Sequence, residues 1–246
     1  MAKSAAPSSV SGVSLNPFSV GYVQPGSVPY FFEPEFIERI RQSASSLYVQ
    51  AFAEAFQKQM ELTTWIGCRY LGEKFAAAGF RGQVVGPHGS GKSTMTESFA
   101  KYLALTEIDV IRSVVHRGTR VPPAELLAEL DRHPAAESPK TVVIFDGYEQ
   151  LGTLGRLRLR RLCRSKNFGL LITAHKPQWF AGPVLYRTAT SDETLEKLVS
   201  YLLDDSRRYP GETILRELRR RHKNNVRAIL DGLYDWWNDA HYRSAE

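Results

Sequence analysis

The sequence predicts an α/β protein in three layers, a parallel sheet between two sets of helices, followed by a small helical subdomain. Three observations predict it. The runs VVIFD (142–146) and GLLITA (169–174) are short, apolar and bounded by turn residues, as strands buried between helices are. Amphipathic helical patterns alternate with such runs between residues 81 and 189, the order of βαβ units and hence of a parallel sheet. From Thr190 onward the pattern is helical only.

Length and composition agree. A chain of 246 residues is long enough for one sizeable α/β domain and a small helical appendage. Hydrophobic residues at 43% and charged residues at 24% are ordinary for a globular protein. A net charge of +6 and a sequence pI of about 9.3 permit an acidic partner without demanding one. Cys68 and Cys163 have no CxxC or histidine spacing around them and are expected as reduced core thiols of a cytoplasmic protein. The first residues lack the apolar stretch of a secretory signal, and no segment approaches the length of a membrane span, so no membrane insertion is expected.

The elements follow in order. Residues 1–30 are rich in Ser, Pro and Gly. The first fifteen are expected as a disordered tail. NPFSVGYVQPGSVPYFF (16–32) is expected as an extended arm, lying either near a nucleotide base or simply on the surface. Residues 31–80 form a helical extension. Phe36, Ile37 and Ile40, then Leu47, Phe52, Phe56 and Met60, give one helical pattern, and a second piece runs over 61–78 to Gly79. The core, 81–189, opens with the strand RGQVVG, then the helix STMTESFAKYLAL and the strand IDVIRSVVH. PPAELLAELDRH is a helix with proline in its first turn and Leu126, Leu127 and Leu130 on one face. KTVVIFDGYEQL is a buried strand ending in an acid, LGRLRLRRLCRS a basic helix, FGLLITAH a buried strand and VLYRTA a shorter one. In the subdomain 190–246, Thr190 and Glu193 are spaced as a capping box before Leu195, Leu198, Val199, Leu202 and Leu203. A second helix covers 212–222. A third starts at Asn224 or Asn225 and carries Val226, Ile229, Leu230, Leu233, Tyr234 and Trp237 on one face.

One motif carries chemistry. Gly86-Pro87-His88-Gly89-Ser90-Gly91-Lys92-Ser93 fits G-x-x-x-x-G-K-[ST] at every fixed position, with an apolar strand before it and a helix after it. Such a turn bares backbone N–H groups to a phosphate, and the following helix adds its N-terminal dipole. Lys92 is expected to reach the β- and γ-phosphates of ATP, the Ser93 hydroxyl to ligate Mg²⁺, and Thr94 to touch the α-phosphate. His88 occupies a position that tolerates many residues.

A second acid completes such a site by holding the Mg²⁺ shell. Asp146 ends a strand with one strand and one helix between it and Lys92, spacing that permits the two strands to be sheet neighbours. The next acid is Glu149, which either swings to an attacking water or caps the following helix. At the end of LLITAH, Thr173 is the candidate γ-phosphate sensor and His175 the alternate.

GPHGSGKST, VVIFD and LLITAH together resemble Walker A, Walker B and sensor 1 of the additional-strand P-loop NTPases, in particular AAA+ and STAND-type ATPases. In these an extra strand lies in the sheet, and a helical lid follows. The segment NNVRAIL resembles a lid signature, with Asn225 and Arg227 in its places and Asn224 where glycine is usual. This implies that Arg227 reaches the γ-phosphate. DGYEQL is similar to the Asp-x-aromatic-Glu-x-Leu pattern of STAND-like proteins. The chain departs from the commoner ATPases at Gly147, where Glu usually follows the acid. Arg187 is the only candidate found for an arginine finger, and the oligomeric state is left open.

The implied function is that of a slow Mg²⁺-dependent ATPase acting as a switch or small motor on a DNA or protein client. A non-hydrolysing nucleotide-gated module and a small-molecule kinase are the alternatives. Residues 117–125 offer no clean Asp of the kind that such kinases place just after their second strand, and the chain has no Asn-Lys-x-Asp guanine motif. Two basic helices, 155–166 and 216–223, are the candidate client surface if both reach one face; otherwise they are solvated faces over a buried Leu157, Leu159 and Leu162.

Overall fold

Side chains alternate along a strand, and in this chain both sets are apolar. In the computed structural model, which describes residues 16–19, 21, 23–43, 61–116, 118–135, 140–203, 209–223 and 225–242, the sheet therefore builds two cores. Strand β1 covers Arg81–Val85, β2 Asp109–Val114, β3 Thr141–Asp146, β4 Gly169–Ala174 and β5 Val184–Arg187. All pair in parallel, in the order β2-β3-β4-β1-β5. Val142 and Ile144 of β3 point into one cluster, Val143 and Phe145 into the other.

The first cluster is roofed by α1 (Pro34–Ser43), α2 (Leu62–Ala77) and α3 (Lys92–Leu105), the second by α4 (Ala124–Arg132) and α5 (Thr153–Ser165). This is the three-layer α/β/α arrangement that the sequence predicts. One expectation is corrected. The strands bearing the phosphate loop and Asp146 are not neighbours, because β4 lies between them and pairs with both. The sheet thus carries the additional strand.

The helical extension is part of the first core. Ile37 and Ile40 of α1 and Trp65, Leu71 and Phe75 of α2 are buried there with Met95 and Phe99 of α3. Leu47, Phe52, Phe56 and Met60 lie outside the described residues, as do the first fifteen residues and Asn224. The arm is tied down at both ends. Asn16 Nδ2 donates to Tyr234 O and to Asn238 Oδ1, both at 2.9 Å, while Tyr30 and Phe32 enter the first core.

Three helices, α6 (Asp192–Leu203), α7 (Glu212–His222) and α8 (Val226–Tyr242), make a third cluster, the lid-like subdomain. Leu195, Val199 and Leu203 pack with Ile229, Leu233 and Trp237, and the arm residue Phe18 is buried among them. The Trp237 and Phe18 rings meet edge to face at 6.3 Å. The cap of α6 falls one residue later than the capping-box spacing suggests. Ser191 Oγ, rather than Thr190, accepts the Thr194 N–H at 3.1 Å. Ser191 N–H is itself held by Glu33 at 3.0 Å, and Thr190 O accepts from Arg219 at 2.8 Å, so neighbours fix the start.

Along α5 the buried positions are Gly155, Leu159 and Cys163, four residues apart, with Leu162 partly buried. Leu157, expected inside, is 56% exposed. Both cysteines are free and buried, as expected.

Candidate nucleotide-binding site

Strand β1 ends at Val85 and helix α3 begins at Lys92, so residues 86–91 form the connecting loop. Gly89 has φ +70°, and a Cβ there would sit 1.8 Å from Asn225 Oδ1. Only glycine satisfies both the backbone and the neighbour. Among the described residues none accepts a hydrogen bond from the N–H groups of Gly89 to Thr94. Free backbone donors at a helix start are what an anionic phosphate chain needs. Lys92 Nζ lies over the loop, donating to Gly86 O at 2.8 Å and Pro87 O at 2.7 Å. Burial lowers its pKa, opposed by the charges of Asp146 and Glu149. Thr94 is half-buried in the first turn of α3, and Pro87 and His88 are exposed.

Asp146, at the tip of β3, is brought to the helix start. Ser93 Oγ donates to its Oδ2 at 2.6 Å, and Thr173, at the tip of β4, donates to Oδ1. Thr173 in turn accepts the Gly147 N–H at 3.1 Å. One hydroxyl on the inserted strand therefore fixes both the acid and the turn after it. Gly147 has φ +85°, and a Cβ would fall 2.5 Å from Val115 O. The position where glutamate is usual in related sites cannot hold a side chain in this conformation.

Glu149 stands in a short 3-10 turn, Tyr148–Gln150. It does not cap α5, whose cap is Gly152 with no side-chain bond. Its Oε1 lies 3.0 Å from His175 Nδ1, and its Oε2 is buried without a partner. Burial lowers the pKa of His175, against the raising effect of Glu149. Nδ1 is thus placed to donate to the Glu149 carboxylate. The His88 ring lies 4.4 Å from His175, centroid to centroid.

Three neighbours hold the loop, one of them in the arm expected near a nucleotide base or on the surface. The Tyr30 ring would come within 3.1 Å of a Cβ on Gly91. Ser90 Oγ is hydrogen-bonded to the buried Thr188 Oγ1 at 2.6 Å, just past the end of β5. Val226 N–H, at the start of α8, donates to Gly89 O at 3.0 Å. Arg227 follows immediately, with an exposed side chain, and Arg187 is exposed. The strand end carries no local motif that could have signalled the Thr188 contact.

The two basic helices belong to different clusters, α5 to the sheet and α7 to the lid. On α7, Arg216 pairs with Glu212 and Arg219 with Asp192.

Sheet order, loop and paired strand tips decide the fold. It is a three-layer α/β/α fold with β4 inserted between the loop strand and the Asp146 strand, an arrangement similar to that of additional-strand P-loop NTPases. No family model matches the chain, and no curated protein does. Among solved structures, the chain is similar to the Thermotoga maritima RuvB Holliday junction branch migration motor, at 12% identity and a TM-score of 0.39. The match covers 68% of this chain and 67% of that one. Among the described residues no P-loop helix or other helix is long and apolar enough to cross a membrane.

Proposed function

We propose that the protein binds Mg·ATP at the loop 86–94 and hydrolyses it slowly, as a nucleotide-driven switch on a DNA or protein client. The observation that carries this reading is the chain Ser93–Asp146–Thr173, which joins the helix start to two strand tips beside Lys92. In this reading the N–H groups of Gly89 to Thr94 bind the phosphates. Lys92 leaves its carbonyl partners to neutralise β- and γ-phosphate charge. Ser93 and Asp146 are the Mg²⁺ ligands, and their carboxylate–hydroxyl pairing fits a hard divalent cation. Mg²⁺ supplies charge neutralisation and alignment of the phosphate chain. Thr173 orients Asp146 and senses the γ-phosphate, and Arg227 reaches it from the lid.

Glu149 is the group for water activation, with His175 positioning it. It stands three residues beyond Asp146, and this geometry supports slow turnover. The same geometry favours the second reading, a nucleotide-gated module without hydrolysis, because Glu149 is already engaged by His175.

Phosphate release and ATP binding, measured separately, distinguish the two. The expected result is slow Mg²⁺-dependent release, abolished in Lys92→Ala and in Glu149→Gln, with binding kept in the latter. Lys92-dependent binding with no release leaves only the module. No binding at all refutes both.

A further inference from the structure

Strands β4 and β5 are parallel with β1 between them, yet no helix joins them. Residues 175–183 cross the second face of the sheet as a coil instead. Ala181 is buried in that core, and Gln83 of β1 ties the coil down. Its Nε2 donates to Gly182 O at 2.7 Å and its Oε1 accepts the Gln178 N–H at 2.7 Å. Arg156 of α5 fastens the coil from the side, donating to Gln178 Oε1 at 2.9 Å. This well-anchored coil turns two large aromatics outward. Trp179 is 87% exposed and Phe180 77% exposed, the latter with φ +60°. Their centroids are 6.3 Å apart.

The ground beside them is cationic. The Arg160 guanidinium lies 5.3 Å over the Phe180 ring. Neither α5 nor the coil contains an acid, while Arg158, Arg161, Arg164 and Lys176 are exposed. At the foot of the coil, beside Gly182, Arg81 has a buried Nη1 with no hydrogen-bond partner. Burial lowers its pKa against the opposing pull of Cys163, and the charges of Arg164 and Arg160 lower it further. Arg160 and Arg164 stand four residues apart on α5, hence on one face, and such an acid-free cationic face suits an anion with several acceptor oxygens.

We infer that this face binds single-stranded nucleic acid, with bases stacking on Trp179 and Phe180 and backbone phosphates on Arg160 and Arg164. Exposed rings interleaved with arginine and free of acids suit a strand whose bases are unpaired. A duplex hides its base faces, and an acidic protein surface would leave the rings without flat partners. The inference names the client within the proposed function and rests on that reading for its purpose. The binding itself needs no nucleotide.

The test is a titration of a fluorescein-labelled oligothymidylate with the full chain, followed by anisotropy without ATP. Binding is expected, falling steeply with salt. Trp179→Ala should weaken it by about tenfold, Trp179→Phe should keep most of it, and Arg164→Ala should reduce the log–log salt slope by about one. Absence of binding, or binding unchanged in Trp179→Ala, overturns the inference. So does self-association in sedimentation that Trp179→Ala abolishes while the oligonucleotide stays free, because the face is then an interface between copies. The titration omits ATP, so its failure leaves the ATPase reading standing, and loss of ATP binding leaves this result intact.

Discussion

Thr173→Val removes one hydroxyl and keeps the side chain's size. The residue is fully buried on the central strand β4, so nothing enters to replace what is lost. Two bonds disappear together, the one Thr173 donates to Asp146 and the one it accepts from Gly147 at 3.1 Å. An unsatisfied buried donor costs about 1–3 kcal/mol. Asp146 is only half-buried and keeps its bond from Ser93, so its share is at the low end. The sum is about 2 kcal/mol, or roughly 4–8 °C in melting temperature for a chain of this size. Thr173→Ser restores the hydroxyl and loses one methyl, costing about 1 kcal/mol. Urea unfolding followed by fluorescence reads both variants. If phosphate release is present, it should fall in Thr173→Val and largely return in Thr173→Ser. A valine variant as stable as the serine one would refute the claim that this hydroxyl organises the two strand tips.

Two further predictions concern the frame around the site. Glu61 caps α2 through the Thr64 N–H at 2.7 Å and the Thr63 hydroxyl at 2.6 Å, so Glu61→Ala should cost about 1 kcal/mol in unfolding experiments. Burial alone would raise the Glu61 pKa, but its hydrogen bonds together lower it. The stabilisation is therefore complete above the unfolded carboxylate pKa and disappears as pH falls through the folded one. The gap between wild type and Glu61→Gln should narrow on acidification, and a gap that widens would reject the cap. Burial pushes the Cys163 thiol up to about 12 against the pull of Arg81, and pushes Cys68 higher still. Neither should react with a disulfide reagent in the native protein at mildly alkaline pH, and both should react in denaturant. Rapid native labelling of either would show that the core opens.

Strand identity was legible because each strand is a short apolar run, and the runs differ from the helices in period. Strand order was less so. Both VVIFD and GLLITA are apolar enough to lie in mid-sheet, and nothing local says which pairs with RGQVV. The start of α6 falls one residue beyond the expected one for a similar reason. Thr190 with Glu193 has the capping-box spacing, and the shift to Ser191 is fixed by Glu33 and Arg219, residues distant in sequence. Leu157 misled because leucine outweighs small residues in a hydrophobic count. The stripe that packs on α5 is Gly155, Leu159 and Cys163, and the helix approaches so closely that a Cβ on Gly155 would meet Arg120 O at 2.5 Å.

In the site, the contiguous loop and the strand-tip residues Asp146 and Thr173 were readable, and the packing that holds the loop was not. Gly86 to Thr94 is one stretch of chain, and its chemistry follows from residue types at fixed spacing. The contacts that hold it come from three remote segments: Tyr30 from the arm, Thr188 from the end of β5, and Asn225 with Val226 from the lid. Each touches a different loop residue, namely Gly91, Ser90 and Gly89. A loop held at three successive residues by three separate elements cannot change shape without moving at least one of them. The Gly89 contact is the tightest, with Asn225 occupying the space of a missing Cβ and Val226 bonded to the carbonyl. Loop rearrangement should therefore pass first to α8. Through the Trp237–Phe18 packing and the bonds from Asn16, it then passes to the arm, whose other end rests on the same loop.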